Sequence, residues 1–358
     1  MLAAIDAAQK SVVLEIYIFA AGELAERFRA TLIAARGRGV RVRVLVDAVG
    51  SLELSDSFWN PLRLAGGEVR VFNPLSFGRL GIRNHRKLLA CDGQVAYIGG
   101  FNIAKEYEGD GVTRGWCDLG LRVTGVLAVQ LEASFEGLFA LADFRHRPFV
   151  RLRKSGAKQT LIDQAGQLLL SGPGRGRSPL LGALRNDLRN KTPDVRIVVA
   201  YFLPPWRLRR ELERVARRGG RVRLILAGKS DVALSQLAAR SLYQRLLKAG
   251  VEIYEYQPQV LHAKLFIVGG AVYAGSANLD FRSLKLNYEL MVRFEGPEVA
   301  AEAGKIFEAM LVHSQRIEKA AWKKSRSFWT RWKEHWANIL LARVDPYLSL
   351  RQWRRVPK

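Results

Sequence analysis

The chain has 358 residues, 49% of them hydrophobic, which is enough for a packed core and for two domains or one domain of two similar halves. Its 57 Lys and Arg against 33 Asp and Glu leave a formal charge of +24, which points to a polyanionic partner without separating nucleic acid from an anionic membrane. Two cysteines, Cys91 and Cys117, exclude a disulfide framework, no zinc-ligand spacing is present, and a reducing compartment is the simplest expectation.

Met1 runs directly into LAAIDAAQK, which reads as an amphipathic helix and not as a secretory signal. SVVLEIYIF (11–19) predicts a buried strand and 22–36 a helix; RGVRVRVLVD (38–47), a helix over about 56–65 and EVRVF (68–72) follow. The most apolar stretch, 123–144, is interrupted by Glu132 and Glu136, so no transmembrane helix is expected. SGPGRGR (171–177) is too rich in Gly and Pro for regular structure and reads as a linker between halves. VRIVVAYFL (195–203), a helix over 207–217, RGGRVRLILA (218–227), a helix over 232–248 and VEIYEY (251–256) then repeat the first order at an offset of about 180 residues. Strands alternating with helices predict an α/β fold of two pseudo-symmetric halves, each a mixed, mostly parallel sheet flanked by helices. The expected boundaries are 1–150, 151–318 and a tail over 319–358.

Each third strand leads into the same signature. NHRKLLACDGQVAYIGGFN supplies His85, Lys87, Asp92 and Asn102; LHAKLFIVGGAVYAGSANLD supplies His262, Lys264, Ser276 and Asn278. Side chains two apart on a strand share a face, so each His–Lys pair is expected on one side of its sheet. A single such pair is weak evidence. Two copies, each followed by a turn, a strand and a Gly-rich Asn segment, are specific, and the chain has only five histidines.

This set suits phosphodiester chemistry, which needs a nucleophile, a proton for the leaving oxygen and cations for the phosphate. One imidazole attacks phosphorus and the other handles the proton. Lys87 and Lys264 are expected as fixed cations, with Asn102, Ser276 and Asn278 as phosphate donors. The scheme needs no metal and no cofactor.

The duplicated motif resembles the phospholipase D superfamily, and more narrowly the bacterial cardiolipin synthases and related phosphatidyltransferases. The likeness runs from residue 3 to about 310 and includes LEIYIF, GVRVRVLVDAVGS, HRKLLACDGQVAYIGGFNI, AYFLPP and HAKLFIV…GSANLDFRSLKLNYEL. It implies a site at the interface of the halves, with His85, Lys87, Asp92, His262 and Lys264 as the catalytic motif residues. It also implies a carboxylate downstream of each motif orienting its histidine, here Asp118 and Glu289. His85 is the implied nucleophile, through a phosphohistidine, although the near-symmetry leaves the order of the two histidines open.

Four features differ from, or complete, the pattern. Gly269 stands where the second motif carries Asp, a position that is usually a structural turn, so a stability cost is expected and not lost chemistry. Gly100 replaces the first motif's serine. Met1 falls inside the first helix, where relatives carry an additional preceding strand, so the start is expected to be late. QLLLSGPG (167–174) fits the strand that opens the second half in the family.

Substrate is a separate question, since the superfamily acts on phospholipids and on nucleic acids. Trp322, Trp329, Trp332, Trp336 and Leu340 follow one helical face, with Lys323, Lys324, Arg326, Arg331 and Lys333 around them. Such a tail suits the headgroup boundary of an anionic bilayer, although packing on the protein body and base stacking remain alternatives. The loop 73–83 and the basic run Arg145, Arg147, Arg151, Arg153 and Lys154 are further candidates for lipid contact. The expected activity is transfer from a phospholipid such as phosphatidylglycerol to another's hydroxyl, at the cytoplasmic face of a bacterial inner membrane. Hydrolysis by a phospholipase D, or a nuclease of the same superfamily, are the alternatives. Nucleic acid is the less favoured partner, and oligomeric state stays open.

Overall fold

Short β-branched runs separated by amphipathic helices give two sheets. The structure is a computed structural model that describes all residues except 75–80, 143–157, 163–165, 175, 191–193 and 345–358. The first sheet contains β1 (Ser11–Ile16), β2 (Arg41–Asp47), β3 (Glu68–Phe72), β4 (Leu88–Cys91), β5 (Val95–Gly99) and β6 (Gly120–Thr124), in the order β3-β2-β1-β4-β5-β6. The second contains β7 (Gln159–Ile162), β8 (Gln167–Ser171), β9 (Asp194–Val199), β10 (Arg221–Ala227), β11 (Glu252–Tyr256), β12 (Lys264–Val268), β13 (Ala271–Gly275), β14 (Glu289–Glu295) and β15 (Ser314–Arg316). Its order, β15-β11-β10-β9-β12-β13-β14-β8-β7, contains the first sheet's arrangement with strands added at both edges.

Both sheets are mixed, but antiparallel pairings outnumber parallel ones, which corrects the expectation of a mostly parallel sheet. Only β1-β2-β3 and β9-β10-β11 run parallel, because each connection there is a helical crossover. The motif strands β4-β5 and β12-β13 are hairpins with loops of a few residues, which forces them antiparallel.

Helices α1 (Leu2–Ala7), α2 (Glu23–Gly37) and α3 (Asn60–Leu64) cover the outer face of the first sheet, where Ile5, Phe28, Leu32 and Leu62 meet Val12, Leu14 and Val44. The inner face packs on α4 (Val126–Ala140) and on Leu168, Leu170, Leu290 and Val292 of the second sheet, so one core spans both halves. In the second half α5 (Pro179–Asn190), α6 (Trp206–Arg217) and α7 (Ala233–Lys248) cover the outer face. A short α8 (Phe281–Lys285) follows β13, and α9 (Pro297–Val312) takes the place of α4 on the inner face.

SGPGRGR does not join the halves. It follows β8, a strand of the second sheet, and leads into α5, so it is a connection inside the second half. Sequence alone missed this because β8 pairs with β14 across more than a hundred residues of chain.

The tail also departs from one continuous face. It breaks into α10 (Lys319–Lys324) and α11 (Phe328–Ile339), with Ser327 capping α11 through Thr330 N–H. Trp322 belongs to α10 and packs on Tyr243, ring centroids 4.9 Å apart, with Arg326 stacked on it. Trp353, the run Arg145–Lys154 and most of the loop 73–83 lie outside the described residues. No helix among the described residues is long and apolar enough to cross a membrane.

Candidate active site

The site is built by the two motifs crossing over between halves. Asn84 forms a parallel bridge with Tyr288, and Cys117 one with Leu261. His85 N–H donates to Tyr288 O (3.0 Å), and His262 N–H to Cys117 O (2.7 Å). Each histidine is therefore held beside the residue that follows the other half's bridging position, and those residues are Glu289 and Asp118. The register decides the pairing. His85 Nδ1 lies 3.1 Å from the Glu289 carboxylate, and His262 Nδ1 lies 2.7 Å from Asp118 Oδ2. The expectation that each carboxylate serves the histidine of its own motif is corrected: the pairs are exchanged.

A carboxylate only accepts, so Nδ1 carries the proton in both imidazoles and the lone pair is left on Nε2. Lys264 Nζ sits 2.9 Å from His262 Nδ1 and 3.2 Å from Nε2, and its principal hydrogen bond is to the His262 carbonyl. With Nδ1–H committed to Asp118, the Lys264 contact with the ring is a charge beside it. Lys87 Nζ likewise donates to the His85 carbonyl (2.7 Å). The histidines precede their strands, so they share a side with their lysines through these carbonyl bonds and not through a strand's alternation. Both lysines are fully buried, and each keeps N–H groups beyond its carbonyl bond.

Burial dominates the electrostatics. It pulls His85 down to about 4, with Glu289 pushing back and Lys87 adding to the fall. His262 is lowered for the same reason, then by Lys264, against Asp118. Lys87 falls to about 7 through burial, partly opposed by Glu289. In the free site both imidazoles are thus neutral near pH 7.

Further residues aim His85. Asn84 N–H donates to Asp47 Oδ2 (2.8 Å), and its Nδ2 donates to Glu15 Oε1 (2.8 Å). Arg86 pairs with Glu15 at 3.2 Å and Arg83 with Asp47 at 3.7 Å. Glu15 and Asp47, at the ends of β1 and β2, are fully buried. These buried acids fix both neighbours of the histidine.

Ser276, expected as a phosphate donor, is not among the residues that line the cavity. Its hydroxyl donates to Glu289 Oε2 (2.5 Å) and accepts from Leu290 N–H (3.0 Å), so it holds the carboxylate that orients His85. Gly100 holds the matching place in the first half, where a Cβ would stand 2.3 Å from Asp118 Oδ1. Asn102 and Asn278 both wall the cavity, each with Oδ1 accepting a backbone N–H, from Ile18 (3.0 Å) and Tyr201 (3.3 Å). Asn102 Nδ2 also donates to Tyr107 Oη (2.7 Å), while Asn278 Nδ2 has no hydrogen-bond partner among the described residues.

Asp92 is not at the site, which corrects its place among the catalytic residues. It lies at the far turn of β4-β5 at φ 58, and its carboxylate accepts from the N–H groups of Gln9 (2.9 Å), Lys10 (2.7 Å) and Ser11 (2.8 Å). Gly269 occupies the equivalent turn at φ 57. The backbone bond is kept, Asp92 N–H to Ser11 O (2.9 Å) matching Gly269 N–H to Asp194 O (3.0 Å); the carboxylate is what the second half lacks. Distance from the cavity explains why its loss leaves the His–Lys–Asn set intact.

Both histidines open on one cavity of about 400 Å³. Four aromatic walls were missed from sequence. Tyr17 meets His85 edge-on at 5.0 Å, while Tyr107, Trp116 and Tyr201 surround His262 at 5.5, 5.6 and 6.5 Å. Tyr17 and Tyr201 had a signal, since they follow the matching strands β1 and β9 in the repeated segments EIYIF and VAYFL. A family profile described as cardiolipin synthase, PLD-like domain, matches residues 1–111 and 184–311.

The chain belongs to this phospholipase D-like family.

Cardiolipin synthase 1 of Bacillus anthracis is 32% identical over 336 residues, covering 90% of this chain and 66% of that protein. The major cardiolipin synthase of Bacillus subtilis is 31% identical over 349 residues, covering 95% and 72%. The chain thus spans about two thirds of the length of these relatives. Among solved structures, the phosphatidylserine synthase of Haemophilus influenzae superposes with a TM-score of 0.70 over 98% of this chain and 92% of that one. At 13% identity that likeness speaks for the shared phospholipase D-like fold alone.

Proposed function

We propose that this protein is a phosphatidyltransferase of the cardiolipin synthase type, which joins two phosphatidylglycerol molecules and releases glycerol. The observation that carries the reading is the pair of imidazoles from opposite halves, each oriented by the other half's carboxylate and both opening on one cavity. The named relatives support the lipid class.

His85 Nε2 attacks the donor's phosphorus, the bond from phosphorus to the glycerol oxygen breaks, and His262 gives that oxygen its proton. The phosphatidyl group is then held on His85. The hydroxyl of a second phosphatidylglycerol gives its proton to His262 as its oxygen attacks phosphorus, and the P–N bond breaks. The neutral state of buried His85 makes it a nucleophile. Asp118 favours the cationic His262 that the proton transfers require, and an arriving phosphodiester anion adds to that bias. Lys87, Lys264 and the free amide of Asn278 counter charge on the phosphoryl oxygens. The protein works from the surface of an anionic bilayer, at the cytoplasmic face of a bacterial inner membrane.

The test is purified protein on labelled phosphatidylglycerol vesicles with chelator present, beside His85→Ala and His262→Ala. Cardiolipin and glycerol, lost in both variants, are expected. Phosphatidic acid as the only product would replace transfer by hydrolysis. DNA cleavage without lipid turnover would sink the lipid assignment and leave the phosphodiester chemistry.

A further inference from the structure

Helix α11 turns its apolar side chains outward. Phe328, Trp329, Trp332, Trp336 and Leu340 are 73%, 67%, 47%, 52% and 42% exposed. The rings touch in series, with centroids 5.7, 6.1 and 5.8 Å apart from Phe328 through to Trp336. Exposed singly, such residues need no explanation, but a continuous aromatic row does.

The opposite side of α11 is what fastens it to the body. Ala337 enters the core of the second half, Glu334 is buried against Arg326, and Asn338 Nδ2 donates to Ser241 Oγ of α7 (2.8 Å). That placement leads to the active-site cavity. Val232 and Ser235, at the start of α7, wall it, and so does Leu341, next to Leu340 at the end of the exposed apolar row. Val232 is itself 39% exposed. The row therefore ends at the cavity mouth.

Charge selects the partner. Between Lys319 and Ile339 the only acidic residue is Glu334, which is buried and paired. Lys319, Lys323, Lys324, Arg331 and Lys333 are exposed, and none has an ion-pair partner among the described residues. A second copy docked on this face about a two-fold axis would bring identical cations together. An anionic lipid surface meets both features, indoles at the headgroup boundary and cations among the phosphates.

We propose that α11 is the membrane-docking element: the row from Phe328 to Leu340 enters the headgroup boundary of an anionic bilayer and sets the cavity mouth at that plane. This deepens the phosphatidyl-transfer reading and rests on it only for what enters the cavity. A lipid can then present its phosphodiester to His85 and His262 while its acyl chains stay in the bilayer.

The test compares the full chain with W329S/W332S/W336S, whose substituted side chains are about half exposed or more, so the melting temperature should not move. Cosedimentation with vesicles of phosphatidylglycerol and phosphatidylcholine should weaken by at least about tenfold, as three indoles lose their transfer from water. Bromine on the upper acyl chain should quench tryptophan fluorescence of the parent and not of the variant. If the parent turns over monomeric short-chain phosphatidylglycerol, the variant should do so at the same rate. Equal vesicle binding or equal quenching would overturn the proposal. So would a self-association in sedimentation, or a DNA affinity, that the triple substitution abolishes while vesicle binding persists. Binding and quenching read the docking even if no lipid is turned over, so failure of the transfer reading stays distinguishable.

Discussion

Asp92→Gly gives the first motif the residue that the second already has. Three backbone N–H groups at 2.7 to 2.9 Å lose their acceptor, and the entry to β1 loses its anchor. Hydrogen bonds to a charged group contribute roughly 1.5–3 kcal/mol each, and partial exposure discounts these to about 1 each. Glycine at φ 58 recovers about 1 kcal/mol of backbone strain, which leaves a net loss of about 2 kcal/mol. If the whole chain melts together the transition falls by about 3 °C; if the first half melts alone, by about 6 °C. The effect depends on pH with a fixed sign. Burial opposes ionisation of Asp92, but the three N–H groups outweigh it and hold the carboxyl below its ordinary value. The carboxylate's contribution is therefore full above about pH 5, and it disappears as pH falls through the folded value. Scanning calorimetry from neutral to acid pH, beside lipid turnover, reads both. An unchanged melting temperature with turnover lost by a hundredfold or more would refute the structural role and return Asp92 to the chemistry.

Glu289→Gln should disturb His85, and Asp118→Asn should disturb His262, each lowering turnover by roughly a hundred- to ten-thousand-fold. Imidazole titrations followed by NMR read the pairing directly, and a Glu289 change that moved only His262 would contradict it. The pH profile of kcat/KM should fall as pH rises, first as buried His262, lowered from its ordinary value, loses the proton it must give, and again through about 7, where buried Lys87 loses its charge. On the acid side it should fall only near pH 4, where His85 takes up a proton. A rate still climbing between pH 7 and 9 would show that the charge on Lys87 is dispensable.

What the sequence by itself determined is local and repeated. Short apolar, β-branched runs and helix-length spacers placed β1 to β5, β9 to β13 and the helices between the parallel strands, because buried elements leave such runs in the chain, but not α4, α5, α9 or β14. The duplication made His85, Lys87, His262, Lys264 and the two asparagines legible as one set, since each half had to rebuild the same surface. The tertiary structure decided which partners those groups found. Glu289 reaches His85, and Asp118 reaches His262, because bridges at Asn84–Tyr288 and Cys117–Leu261 set the register between halves. No spacing within a motif encodes a pairing made between motifs. Ser276 turned from a phosphate donor into the anchor of Glu289 because β13 and β14 lie side by side. Trp322 left the exposed row because Tyr243, far away in sequence, offered it a partner. Such choices depend on contacts between distant segments, whose geometry exists only once both halves have folded against one another.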